Sequence, residues 1–183
     1  INREFEKIGT DKLIILPKTG VGAPGTNAVV ELAEDDLDVV KRVSGIENTA
    51  GFIFANSKVE FQDNIGFFFI IGLPEGDERD LVAELQSLKI REGRNLRDSD
   101  KFSALLGSSV VEKELLGRNL RARDKIKING KEFTIVGVLE KTGDPGWDGS
   151  AMIPEETLRE VFNEPDKLDE IVAKVANVEN INI

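Results

Sequence analysis

The chain contains no cysteine, no histidine and no tyrosine, and only one tryptophan and one methionine. Without cysteine there is no disulfide, no thiolate nucleophile and no thiolate metal site, and the redox compartment stays open. Without histidine the side chain best suited to proton transfer near neutral pH is missing. Ser-His-Asp and Cys-His machinery and imidazole-ligated metals are therefore ruled out. No stretch approaches the roughly 18 apolar residues that a membrane-spanning helix needs, and no signal peptide is recognisable. The start at Ile1 without an initiator methionine, and the end inside the alternating run NVENINI, point to a piece of a longer protein. A mature chain left by processing is the alternative.

What is present describes a folded domain. Of the 183 residues, 40% are hydrophobic and 32% charged, with Ile, Val, Leu and Phe spread throughout, so disorder is not expected. That length suits one domain or two small lobes. The net charge of -10 repels phosphate backbones and anionic lipid headgroups, so neither nucleic acid nor a flat membrane surface is the expected partner. Acidity of this size is also a common solubility device.

The pattern alternates irregularly between helix and strand. Residues 2–8 (NREFEKI) predict a short polar helix, DKLIILP a strand stopped by Pro17, and residues 19–27 a glycine-rich loop. AEDDLDVVKRVSG predicts a helix with acids in its first turn, Lys41 and Arg42 in its last and Gly45 beyond it, as the helix dipole favours. Its apolar face is expected to be Leu37, Val40 and Val43, widened by Val39. GFIFAN and KVEFQ alternate, and GFFFIIGL is a continuous apolar run suited to a central strand. Asp77 is placed to cap the helix DERDLVAELQSL. REGRNLRDSD is a charged connector, FSALLG a short strand, and Ser108 or Ser109 a cap for VVEKELLG. In KIKINGKEFTIVGVL the Asn129-Gly130 pair is the sharpest local signal, because a type I′ hairpin turn requires positive φ at both positions. A loop KTGDPGWDGS, a strand AMI, a helix opened by Pro154 and a final strand EIVAKVANV complete the chain. Strands around antiparallel hairpins with interspersed helices argue for an α+β fold with mixed sheets.

Few residues carry chemistry. Gly20 to Gly25 satisfies G-x-G-x-x-G after a strand, the form that brings a backbone onto a pyrophosphate. The context argues against it, since Pro24 lies where the helix should begin, and Thr26 stands where a Walker A loop needs Lys. A surface loop is the simpler reading. The acids at 34–38, at 75–80 and at Asp144 and Asp148 do not meet the calcium-loop spacing, and two of the three groups sit at helix N-termini. Trp147, in DPGWDGS, could anchor a partner or pack back over the core. Ser108, Ser109 and Ser150 lack a histidine to activate them. No catalytic, cofactor or metal residue is assigned, and Trp147 is the partner-interface candidate.

The ordered segments LAEDDLDVVKRVSGIEN, LKIREGRNLRDSD, ALLGSSVVEKELLG, DKIKINGKEFTIVGVLEKTG and SAMIPEETLREVF, over residues 32 to 162, resemble the MacB-like periplasmic core domain of FtsX-type ABC transporter permeases. The opening REFEKIGTDKLIILP fits as well. The resemblance implies a two-lobed domain on the extracytoplasmic side of the cell membrane, inserted between the first and second membrane helices of a permease. Residues 1–76 and 150–183 would form a membrane-proximal α/β lobe, and residues 77–149 a smaller inserted outer lobe, trimmed here relative to longer members. The implied partners are the membrane helices of the same chain, a separate ATPase subunit or domain in the cytoplasm, and a second permease copy. No cofactor is implied, and the domain would be no enzyme: it would couple ATP hydrolysis to substrate export or extraction through conformational change. Adjacent termini are expected, with residues 2–8 continuing a membrane helix. Two other readings stand beside this one: a free-standing secreted ligand-binding module, and a nucleotide-binding enzyme using the Gly20–Gly25 loop. Apolar flanks in the parent reading frame would separate the first from the permease, and nucleotide titration the second.

Overall fold

The computed structural model describes residues 12–17, 32–117 and 120–176. In chain order the elements are β1 (Lys12–Ile15), β2 (Leu32–Ala33), α1 (Glu34–Lys41), β3 (Ile46–Phe61), β4 (Asn64–Leu73), α2 (Gly76–Leu85), β5 (Ile90–Gly93) and β6 (Ser103–Leu106). They continue with α3 (Ser108–Glu112), β7 (Lys125–Ile128), β8 (Lys131–Leu139), α4 (Pro145–Asp148), β9 (Ala151–Pro154), α5 (Glu155–Phe162), β10 (Lys167–Leu168) and β11 (Glu170–Val175). The expected helix at residues 2–8, the Gly20–Gly25 loop and both termini lie outside the described residues.

The two alternating segments before residue 62 are one strand, because nothing between Ala55 and Lys58 breaks the period of two. At 16 residues β3 is the longest element described, and a two-residue turn returns it into β4 in register Phe61↔Asn64. One edge of β3 carries β4. The other carries β11 over residues 46–52 and β7 at Val59 and Glu60. The backbone groups of Phe52, Phe54 and Lys58 all point to this second edge: Asp169 N–H donates to Phe52 O, and Asn129 N–H to Lys58 O.

The pairings then close on themselves in the order β3, β4, β9, β6, β8, β7 and back to β3. The β4–β9 and β6–β8 ladders are parallel and the rest of this circuit is antiparallel, so the sheet is mixed as expected. Alternate side chains point inward, and Ile53, Val59, Phe61, Phe68, Ile70, Leu106, Ile128, Phe133 and Ile135 meet in one buried cluster. Closure removes most of the exposed ladder edge that an open sheet would offer. The opposite faces of the same strands carry Phe52, Ile71, Leu105 and Met152, covered by Leu81 and Val82 of α2 and by Trp147. A third cluster holds Leu37 of α1 against Leu168 and Ile171.

Apart from β2 and β10, which pair with each other in a separate two-stranded sheet, the described strands of residues 1–76 and 150–183 occupy one run of the large sheet (β1, β11, β3, β4, β9), and β6, β8 and β5 occupy the other. The runs meet where Leu105 pairs with Met152 and Leu106 with Ala151. The inward cluster draws from both.

Several local expectations are corrected. Val39 and Val43 are 62% and 50% exposed, because α1 ends at Lys41 and turns only Leu37 and Val40 toward the sheet. The caps of α2 and α3 are Glu75 and Gly107, with no side-chain cap bond, so Asp77 and Ser108 lie inside their first turns. The run GFFFIIGL is not buried on both faces: Phe67 and Phe69 are 79% and 42% exposed, since among the described residues no helix covers the outer face of β4 near its turn. The Asn129-Gly130 turn is as expected, with φ of 48° and 77°.

Candidate functional site

The segment KTGDPGWDGS forms a braced turn. Pro145 opens α4, and Asp144 Oδ1 accepts hydrogen bonds from the amides of Gly146 (2.7 Å) and Trp147 (3.3 Å). Asp148, only 3% exposed, accepts from the Thr142 amide (2.8 Å), the Thr142 hydroxyl (3.0 Å) and the Gly143 amide (3.1 Å). Burial by itself would raise the Asp148 carboxyl pKa; these three donors outweigh it and hold the carboxyl below the usual range. The turn also presses on Gly107, where a Cβ would lie 2.3 Å from Trp147 O.

This bracing decides the fate of Trp147. The indole is 8% exposed and meets the Phe52 ring edge-on at 5.8 Å between centroids. It is packed over the core, and what it presents outward is a rim rather than a face. That rim borders a cleft of about 560 Å³, walled by Lys12 to Ile14 of β1, the end of α2 at Leu85, and Glu170 and Val172 of β11. Asp144 lines it as well.

Alternation along β11 puts Glu170, Val172 and Lys174 on the face toward α2. Lys174 Nζ is engaged by Glu84 at 2.8 Å. Glu170 has no ion-pair or hydrogen-bond partner for its carboxylate among the described residues. Burial, and secondarily the Asp144 charge, push its carboxyl up to about 7. Sequence reasoning misses Glu170; its signal is an acid opening a strand whose next three residues, Ile171, Val172 and Ala173, are apolar.

The other carboxylates are largely committed. Asp98 is held by Arg79, Asp100 by both ends of the Arg94 guanidinium, at 2.6 and 2.9 Å, and Glu155 and Glu34 by Arg159. Arg159 also donates to the carbonyls of Pro165 (2.7 Å) and Lys167 (3.1 Å), so it ties α5 to α1 and to the strand β10. A groove of about 680 Å³ beside α5 is lined by several of these paired groups. Among the described residues no group of three acids is placed to hold a metal ion, and no helix is long and apolar enough to cross a membrane.

The family model described as the MacB-like periplasmic core domain matches residues 1–182. An uncharacterized ABC transporter permease of Methanocaldococcus jannaschii is 25% identical over 181 residues, covering 99% of this chain and 44% of that permease. The chain thus spans less than half the length of that relative. Among solved structures, the periplasmic region of MacB from Actinobacillus actinomycetemcomitans superposes with a TM-score of 0.71 at 16% identity, over 98% of this chain and 80% of that one. The extracellular domain of the ABC-type transporter YknZ from Gram-positive bacteria gives 0.68 at 14% identity, over 93% and 87%. At these identities the likeness establishes the fold.

Proposed function

Because the chain belongs to the MacB-like periplasmic core domain family, we propose that it is the extracytoplasmic domain of an ABC transporter permease, set between membrane helices of the same subunit and moved by a cytoplasmic ATPase. The observation that carries this reading is the pairing of β1 with β11. The first and last described strands are antiparallel neighbours, with Lys12 opposite Lys174, so the chain joins and leaves the fold at one place. Both connect through the ladder to β3, whose 16 residues run away from that place for about 50 Å at ~3.3 Å per residue. A displacement applied at the β1–β11 end would reach the β3–β4 turn through one continuous strand rather than through flexible links. Residues 1–76 and 150–183 are then the membrane-proximal part and residues 77–149 the outer part, moving together because they share a core.

The domain acts by contact and movement, not by bond chemistry. Its partners on this reading are its own membrane helices, the ATPase and a second permease copy. The test is a spin label at Asp63, in the β3–β4 turn, in the parent permease assembled with its ATPase. The distance between labels on two copies is expected to differ between ATP-bound and nucleotide-free transporter. A distribution that is the same in every nucleotide state would sink the proposal.

A further inference from the structure

Beyond mechanical coupling, the cleft beside Trp147 has the build of a ligand site. It pairs apolar walls (Ile14, Leu85, Val172 and the Trp147 rim) with two carboxylates, Glu170 and Asp144, against a single lysine, Lys12. Pockets for small molecules combine these ingredients: apolar area for binding and a few polar groups for orientation. The asymmetry of charge is the informative part. A half-buried carboxylate loses part of its hydration unless something cationic meets it, and Glu170, half-buried at the start of β11, has no such partner among the described residues. The charged groups around it do not supply one. Asp144, from α4, adds like charge. Lys174 lies four residues along β11, about 13 Å away at ~3.3 Å per residue, and is engaged by Glu84. Lys12 of β1 lines the same cleft but lies in register opposite Lys174, and among the described residues no ion pair joins it to Glu170. Glu84 itself is turned to Lys174.

We infer that this cleft binds a small organic cation: an ammonium or guanidinium group carried on a short apolar body, with the cation between Glu170 and Asp144 and the body against Trp147 and Leu85. The Trp147 rim adds apolar contact for the body. The burial that pushes the Glu170 carboxyl up to about 7 makes occupancy depend on pH: above that value the carboxylate is ionised and competent, and below it protonation removes the attraction. This inference does not depend on the permease reading, since it can be tested on the isolated chain.

Trp147 is the only tryptophan and there is no tyrosine, so intrinsic fluorescence reports on this cleft alone. The experiment titrates the chain at about pH 8 with hexylammonium, with neutral hexanol as the isosteric control. A saturable change in Trp147 emission is expected with hexylammonium and not with hexanol. Glu170→Gln is expected to weaken the response about tenfold, as loss of a charge-assisted contact does, and lowering the pH to about 5 is expected to weaken the wild-type response similarly. Thermal melts establish that the variant is folded; Leu85→Trp, which fills the cleft, serves as a second variant by calorimetry and is expected to abolish binding. Equal responses to hexanol and hexylammonium, or affinity unchanged in Glu170→Gln, would overturn the inference. A response to an oligolysine peptide but not to hexylammonium would also overturn it, placing the cation on a partner chain.

Discussion

At the scale of the residue, two carboxylates behave in opposite ways, one beside Trp147 in sequence and one lining the same cleft as its ring. Asp148 is held below the usual range by three donors, so the folded state binds its proton less tightly than the unfolded chain does. Its contribution to stability is present above the ordinary aspartate pKa and is lost as pH falls through the depressed value. Asp148→Asn is expected to destabilise by about 2 kcal/mol near neutral pH, from the loss of charge-assisted hydrogen bonds, and to do so less in acid. Glu170 has the reverse sign. Its folded-state pKa is raised from 4.5 to about 7, so the native state binds the proton more tightly and stability falls as pH rises between those values. Glu170→Gln removes that dependence and is expected to be the more stable protein above pH 7 by about 1–3 kcal/mol. Urea denaturation at about pH 5 and about pH 8 checks both, and a Glu170→Gln difference that is the same at the two pH values would contradict the assignment.

At the scale of the element, the pleat of β4 separates neighbours that a hydropathy profile treats alike. Phe68 is 6% exposed inside the strand circuit, while Phe67 next to it is 79% exposed. Phe68→Ala is expected to cost about 3–5 kcal/mol, and Phe67→Ala less than about 1 kcal/mol; denaturant midpoints distinguish them. Similar costs for the two would mean that the register of β4 is wrong. The β7–β8 turn offers a second check, because Gly130 has φ of 77° with nothing crowding its missing Cβ. Gly130→Val therefore measures conformational strain alone, expected to be about 1–2 kcal/mol. These elements were readable in advance to different degrees. The hairpin was legible because its turn chemistry is local, whereas the exposure of Phe67 depends on which elements arrive to cover β4. The caps of α2 and α3 fall one or two positions before the expected Asp77 and Ser108, on Glu75 and Gly107, because the tertiary path of the chain sets where each helix begins.

At the scale of the molecule, the pairing of β1 with β11 makes the ends of the described fold a single structural unit. Leu13 and Ala173 face each other in that ladder, within the span that antiparallel partners and disulfides share. The chain has no native cysteine, so Leu13→Cys with Ala173→Cys introduces an isolated pair. It is expected to oxidise readily and to stabilise by about 2–4 kcal/mol, since it closes a long loop; free-thiol titration and thermal melts with and without reductant measure this. Thiols that resist oxidation would mean that β1 does not sit on β11.

What the sequence by itself determined was the absence of catalytic chemistry in the histidine and cysteine classes, the α+β class, the helix over α1 and the Asn129-Gly130 turn. Each follows from residue identity or from contacts a few positions apart. The closed strand circuit and the placing of Trp147 and Glu170 along one cleft were decided only in three dimensions. Most of these pairings join residues tens of positions apart, as Val59 with Ile128 and Ile70 with Ala151 do. No local periodicity encodes such distances; they emerge when apolar faces made separately along the chain bury one another.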